Sequence, residues 1–397
     1  MFTPEMEASL ARDIEAFHAA HPDIHVTTER FLGHQDEASR RLELKLALDE
    51  QPDLAWLPPP YTGDLAQAGA LRPVASFIAQ DTMFDADDFY PWGWKDASYN
   101  GTRYALPYEV NTIAVLYNKR LFRAAGLTRP PQTWTELRSA ARRLTVDRDN
   151  DGTPEQCGLL LPLGASEWAV WTWETFLWQA GGQLLTDDLQ APAFDRPAGE
   201  EALQFWMDLV HKDAAACLSE VDMGWDVTPF INGEVAIQIT GPWDLPRLQR
   251  ADSLDFGVFP LPRNRKRATN IGGENLYILK TTPEREAASW TLAKYLVRPD
   301  VQRRRLETTQ QFPTRRSVVA SDWMAEYLRA RPALRVFFDA LEYGQTRPSI
   351  PEYFSISRAL GDGLTQALQK EKLPNAALED AALKAHAILQ QERTQRP

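Results

Sequence analysis

Asn100-Gly101-Thr102-Arg103-Tyr104-Ala105-Leu106-Pro107-Tyr108-Glu109-Val110-Asn111-Thr112-Ile113-Ala114-Val115-Leu116-Tyr117-Asn118-Lys119 is the stretch that decides the fold class. Asn-Gly is a strong hairpin signal, because both residues accept a positive φ at little cost. It predicts a turn between strands at 94–99 and 102–105. Residues 110–117 read as a further strand. A helix over 119–125 follows, closed by Gly126. Thr133 and Glu136 then form a capping box that opens a helix running to about Leu144. Strand, helix and helix in quick succession are α/β grammar.

The same grammar extends in both directions. Thr3 reads as an N-cap with Pro4 at the first helical position and Glu5 and Glu7 in the first turn. Met6, Leu10, Ile14 and Phe17 recur at helical spacing, and Ile24, Val26 and Thr28 alternate as a strand. A helix feeding a strand is a crossover, so a strand is expected before it, upstream of Met1. The N-terminus shows neither a charged n-region nor an apolar h-region. Further strands are expected at 53–57, 235–240, 256–260 and 275–279, and helices at 168–179, 199–212 and 283–296. The end of the chain, from Ser317, reads as mostly helical. Units of βα, a helix-rich middle, strands and helices again suit two α/β lobes that the chain visits more than once. They do not suit eight regular βα repeats.

The 397 residues carry a net charge of −12, which argues against a general nucleic-acid binder. No window is long and apolar enough to span a bilayer. Cys157 and Cys217 stand in no metal spacing. They could pair, but buried small apolar residues are the favoured reading. Walker, dinucleotide, zincin and nucleophile-elbow motifs are absent. His18, His21, His25 and His34 cluster, and helix-end positions explain two of them better than a metal does. Asp147, Asp149 and Asp151 before Gly152 resemble the start of a calcium loop, but Gly158 stands where a bidentate Glu belongs. An acidic turn is the favoured reading, with structural calcium as the alternative. Arg263–Arg267 is a basic surface turn.

Thirteen tryptophans are the unusual feature. Trp92 and Trp94, Trp168, Trp171 and Trp173, Trp225 and Trp243 group together, and Trp173-Glu174, Trp225-Asp226 and Trp243-Asp244 set rings beside carboxylates. A sugar needs both, since its C–H faces stack on aromatic plates and its hydroxyls need polar partners. A quaternary ammonium would use the same plates through cation–π attraction.

Several blocks carry a family resemblance along essentially the whole chain. They are the segment from Phe17 to Val26, Pro52-Asp53-Leu54, Leu65 to Pro73, the opening stretch from Gly101 to Lys119, and Pro131 to Leu137. Phe230 to Ala236, Gly241-Pro242-Trp243, Gly257 to Pro262, Gly272-Gly273 and Phe312 to Arg315 complete the set. In this order the chain resembles the family 1 extracellular solute-binding proteins of ABC importers, the maltose-binding-protein-like sugar receptors. The resemblance implies a periplasmic-binding-protein-like α/β fold, with two α/β lobes joined by a multi-crossing hinge and a ligand cleft between them. Residues 1–110 plus 262–312 would form the N-terminal lobe, lacking its first strand, and 111–261 plus 313–397 the C-terminal lobe. Crossings are expected near 109–111, 260–262 and 312–315.

The implied function is an extracytoplasmic receptor, monomeric and without catalysis, that binds a mono- or oligosaccharide and delivers it to permease subunits. The alternatives are a receptor for a glycerophosphodiester or another small polar solute, with Arg315 facing a phosphate, and a glycoside hydrolase. The resemblance implies Trp171 and Trp243 as stacking platforms. Glu109 and Asn111 would offer polar groups on the first crossing. Gly273, Glu274 and Asn275 replace a Gly-Gly-Trp loop by polar groups. Tyr61, Trp225, Asp226 and Arg315 are further candidates. The family's first strand and export signal would lie upstream of Met1.

Overall fold

A computed structural model describes residues 3–30, 35–149, 151–220 and 226–395. They divide into two compact units. The first holds 1–111, 272–332 and 346–351, and the second 112–271, 333–345 and 352–397. The first change of unit therefore falls between Asn111 and Thr112, at the C-terminal end of the strand Ala105–Thr112. The second comes later than 260–262, because the 275–279 strand starts early: it runs Thr269–Ile278 and changes unit between Ile271 and Gly272. The third lies beyond 312–315, since Phe312 and Pro313 pair with Val110 and Glu109 inside the first unit.

In the first unit the strand order is 54–57, 269–278, 105–112, 312–313. Leu54–Leu57 runs antiparallel to Asn275–Ile278 and forms the sheet edge. All eight residues of Ala105–Thr112 are buried, which explains why that strand does not alternate in sequence. Helices Pro4–Ala20, Pro283–Leu296 and Pro299–Thr309 pack together in this unit. Thr3 caps the first of them by accepting from the Met6 N–H. Two expected strands differ. Residues 24–30 join no ladder among the described residues, with Ile24 and Val26 only half-buried. Residues 91–96 are helical, so the hairpin is reduced to Ser98–Tyr99 and Thr102–Arg103 around Asn100 (φ 47°) and Gly101 (φ 77°).

In the second unit the order is 216–220, 159–163, 237–240, 114–118, 256–259. The strand 159–163 runs parallel to both its neighbours, and 114–118 antiparallel to both of its own. Helix Glu167–Gln179 begins at the Ser166 cap, and from Trp168 onward every residue is buried. A helix buried on every side belongs in the middle of a domain, and helices Pro197–Met207 and Tyr353–Leu368 cover it. Cys157 and Cys217 form a disulfide, against the favoured sequence reading. Leu160 pairs with Cys217, so the bridge ties the edge strand Ala216–Glu220 to the root of its neighbour. Among the described residues no helix is long and apolar enough to cross a membrane.

Candidate functional site

The second unit gathers three tryptophans. Trp168 and Trp171 come from helix Glu167–Gln179, three residues apart and hence on one face. Trp243 comes from the turn Pro242–Asp244 that follows strand Ile237–Thr240. The Trp168 and Trp171 ring centroids are 5.4 Å apart, and Trp243 lies 6.3 Å from each, at 26° to the Trp171 plane. Gly241 makes this possible: a Cβ there would sit 2.0 Å from the Trp243 ring, so only glycine lets the indole fold back over the chain. The Trp243 indole N–H is buried and meets no acceptor among the described residues. Beside it, Asp244 accepts a hydrogen bond from the Thr240 hydroxyl. Burial pushes the Asp244 carboxyl up to about 7, against the lowering effect of that hydrogen bond and of Arg247. The arrangement sets three buried indoles side by side, with a buried donor and a buried carboxyl at their border.

The first unit gathers polar groups on neighbouring strands. Glu109 and Asn111 project from 105–112, and Gly273, Glu274 and Asn275 belong to 269–278. Gly273 has φ 123°, and a Cβ there would lie 2.1 Å from the Glu109 carbonyl oxygen, so the two backbones meet where only glycine fits. The Glu109 side chain is fully buried, 3.3 Å from the Arg305 guanidinium, which itself stacks on the Tyr108 ring. Its carboxyl is raised well above the usual range, by burial first and by the neighbouring Glu274 second, with Arg305 opposing. Asn111 donates its amide N–H to Gln311 at 2.9 Å, while its Oδ1 is buried without a donor among the described residues. The Asn275 amide donates to the Tyr277 hydroxyl.

Other candidates serve the fold. Arg315 is buried against Phe89, donates to the Val297 and Asp85 carbonyls and pairs with Asp88 at 3.2 Å. Its guanidinium is a packing tie between chain segments. Asp226 caps Thr228 and pairs with Arg247 at 3.0 Å. Those partners hold its carboxyl below the usual range despite the opposing effect of partial burial, which is the largest single influence. Tyr61 is buried at the start of helix Tyr61–Gln67. Trp225 and His34 lie outside the described residues. The Trp94 indole donates to the Ala86 carbonyl, and Trp92 stacks on Tyr90 at 5.6 Å. Asp147, Asp149 and Asp151 each present an oxygen within 4.8 Å of the others, yet all three also accept backbone N–H groups of their own loop. The His18 ring accepts from the Val26 N–H and stacks on His25, which fits a structural role. Arg305 and Gln311 escaped sequence reasoning. Arg305 hides in the run Arg303-Arg304-Arg305, which reads as a solvated helix face, and only packing reveals which of the three turns inward.

Comparison with known proteins agrees with this geometry. A family model described as bacterial extracellular solute-binding protein matches residues 3–303. A maltotriose-binding protein from Pyrococcus abyssi is 23% identical over 365 residues, covering 90% of this chain and 74% of the relative. A solute-binding protein of an ABC transporter from Thermotoga lettingae, solved with α-D-tagatose bound, matches with a TM-score of 0.85. Its identity is 29%, over 97% of this chain and 96% of that one. UgpB from Mycobacterium tuberculosis, in complex with glycerophosphocholine, gives a TM-score of 0.86 at 22% identity over 98% and 96% of the chains, a likeness of fold alone. The chain belongs to the bacterial extracellular solute-binding protein family.

Proposed function

We propose that this chain is the extracytoplasmic receptor of an ABC importer, working at the cell surface or in a periplasm. It binds a saccharide and presents it to the membrane permease. The observation that carries the saccharide reading is the tryptophan trio Trp168, Trp171 and Trp243. Pyranose C–H faces stack on indoles, and the unpartnered Trp243 N–H offers a hydroxyl oxygen a donor. The relatives from P. abyssi and T. lettingae, named or solved with maltotriose and tagatose, support the same class. The Cys157–Cys217 disulfide suits an oxidising compartment. A phosphodiester would want a cation, and Arg315 is spent on Asp88. A hydrolase reading has the receptor family against it.

Binding to both units would favour a closed arrangement by hinge motion at the chain crossings. The test is a titration followed by tryptophan fluorescence and melting temperature, over malto-oligosaccharides, ketohexoses, glycerophosphodiesters and betaines. Saturable binding of one saccharide class, with the sugar recovered intact and a melting rise that grows with its concentration, is expected. Saturation by a phosphodiester or a betaine alone would overturn the saccharide reading, and turnover of an aryl glycoside would overturn the receptor reading.

A further inference from the structure

Strand Thr269–Ile278 changes unit between Ile271 and Gly272, and just before that crossing it carries a wholly buried amide. The Asn270 side chain is spent on one turn of helix Glu167–Gln179. Its Nδ2 donates to the Trp171 carbonyl oxygen, and its Oδ1 accepts from the Thr175 hydroxyl. Residues 171 and 175 are the two ends of one i to i+4 step, so a single planar amide grips that turn at both ends. One turn further on, Gln179 donates to the Ala268 carbonyl at 3.0 Å. The helix thus lays residues 171, 175 and 179 along residues 268–270. The backbone around Asn270 is equally committed. Thr269 and Asn270 pair in parallel register with Gly344 and Gln345, and the chain changes unit again directly after Gln345. The Thr269 hydroxyl donates at 2.8 Å to the carbonyl of Ile113, the second residue past the 111/112 crossing. Three crossings therefore meet on this side of the second unit, and Asn270 ties them to the turn that bears Trp171.

Neither helix partner needs this amide for its own sake. The Trp171 carbonyl lies inside the helix, where the residue 175 N–H is its ordinary partner, and a helical threonine hydroxyl can turn back on the carbonyl four residues before it. An apolar side chain would fill the position without the cost of drying an amide. What the amide adds is direction: a fixed link from the platform turn to the crossing. We propose that Asn270 is a positioning residue for saccharide binding, which passes the displacement of the Trp171 turn on stacking to the 271/272 crossing and so lets occupancy of the tryptophans bias the hinge. The inference rests on the saccharide-receptor reading above and deepens it by naming the residue that couples stacking to closure.

Asn270→Leu keeps the branched outline and removes both hydrogen bonds. It is compared with the unaltered chain over malto-oligosaccharides and ketohexoses, with tryptophan fluorescence for binding, small-angle scattering for compaction and melting temperature for stability. The variant is expected to keep the fluorescence response, to lose about tenfold in affinity, and to lose about half or more of the fall in radius of gyration at saturation. Thr175→Val removes only the hydroxyl half of the grip and should fall between the two. A merely structural role gives a different split, a lower melting temperature with affinity and compaction unchanged, and that result overturns the coupling while the receptor reading stands. Hydrogen exchange on the unaltered chain keeps the idea testable should Asn270→Leu fold poorly: a bound saccharide should slow exchange at 171–175 and at 269–272 together. Slowing at 171–175 alone, or binding without compaction, overturns the coupling. Silence of the unaltered chain toward every saccharide overturns both readings.

Discussion

Trp243 owes its position to the absence of a side chain two residues earlier. With a Cβ at Gly241 only 2.0 Å from the ring, Gly241→Ala must push the indole away from Trp171. The backbone there is ordinary, at φ −108°, so the effect is steric and local. Saccharide affinity is expected to fall about tenfold or more, with a changed near-ultraviolet dichroism and a cooperative melt. Unchanged affinity would remove Trp243 from the site.

Asp96 supplies a second prediction at this scale. Burial raises its carboxyl from 3.8 to about 7, with Thr346, Lys95 and Arg347 opposing. A carboxyl raised in the folded state leaves the native protein holding more protons than the unfolded chain. Its stabilising contribution is complete below about pH 4 and is lost as pH rises to about 7. Asp96→Asn removes that loss. It should therefore be more stable than the parent at pH 8, by on the order of 2–4 kcal/mol, and should lose the advantage toward pH 4. Denaturant titrations at both values decide it, and a gap independent of pH would contradict the assignment.

Two elements carry the architecture at points a substitution can reach. Strand Thr269–Ile278 bends past strand Ala105–Thr112 at Gly273, where φ is 123° and a Cβ would strike the Glu109 carbonyl oxygen. Gly273→Ala combines strain with overlap, and a loss of about 3 kcal/mol or more is expected in urea unfolding. A loss near zero would mean that the two strands separate freely.

In the second unit, strand Ala216–Glu220 lies at the sheet edge, held on one side by Leu159–Leu163 and by the Cys157–Cys217 bridge. Replacing both cysteines by serine should cost about 2–4 kcal/mol. Hydrogen exchange is expected to rise first in that strand, ahead of the inner strands 159–163 and 237–240. Uniform exchange across the sheet would show that the bridge does not hold the edge.

At the scale of the whole molecule, the chain passes between units at 111/112, 271/272, 332/333, 345/346 and 351/352. Each unit has its own sheet, so each can act as a rigid body while those few backbone positions absorb the motion. A saccharide that engages both units should therefore reduce the radius of gyration in small-angle scattering. The melting temperature should go on rising with ligand well beyond saturation, because ligand binds the native state only. A rising melting temperature at constant radius would confine binding to one unit.

Much of this was legible in the sequence because it is written in local chemistry. Caps at Thr3 and Thr133, positive-φ residues at Asn100 and Gly126, and apolar runs long enough to be buried all announce themselves within a few residues. The order of these blocks was enough to carry the family resemblance, and so the α/β class and the two-lobed plan. Residues 24–30 show the limit: they alternate like a strand, yet a strand exists only where a neighbour completes its ladder.

The site was legible by residue type and not by partner. The family resemblance pointed to Trp171 and Trp243, but it could not tell that Arg315 and Asp226 are spent inside the fold. Nor could it pair Cys157 with Cys217, or choose Arg305 over its two identical neighbours to face Glu109. Local sequence sets what a residue prefers. Which charge meets which is decided by segments distant in sequence that tertiary packing brings to one place.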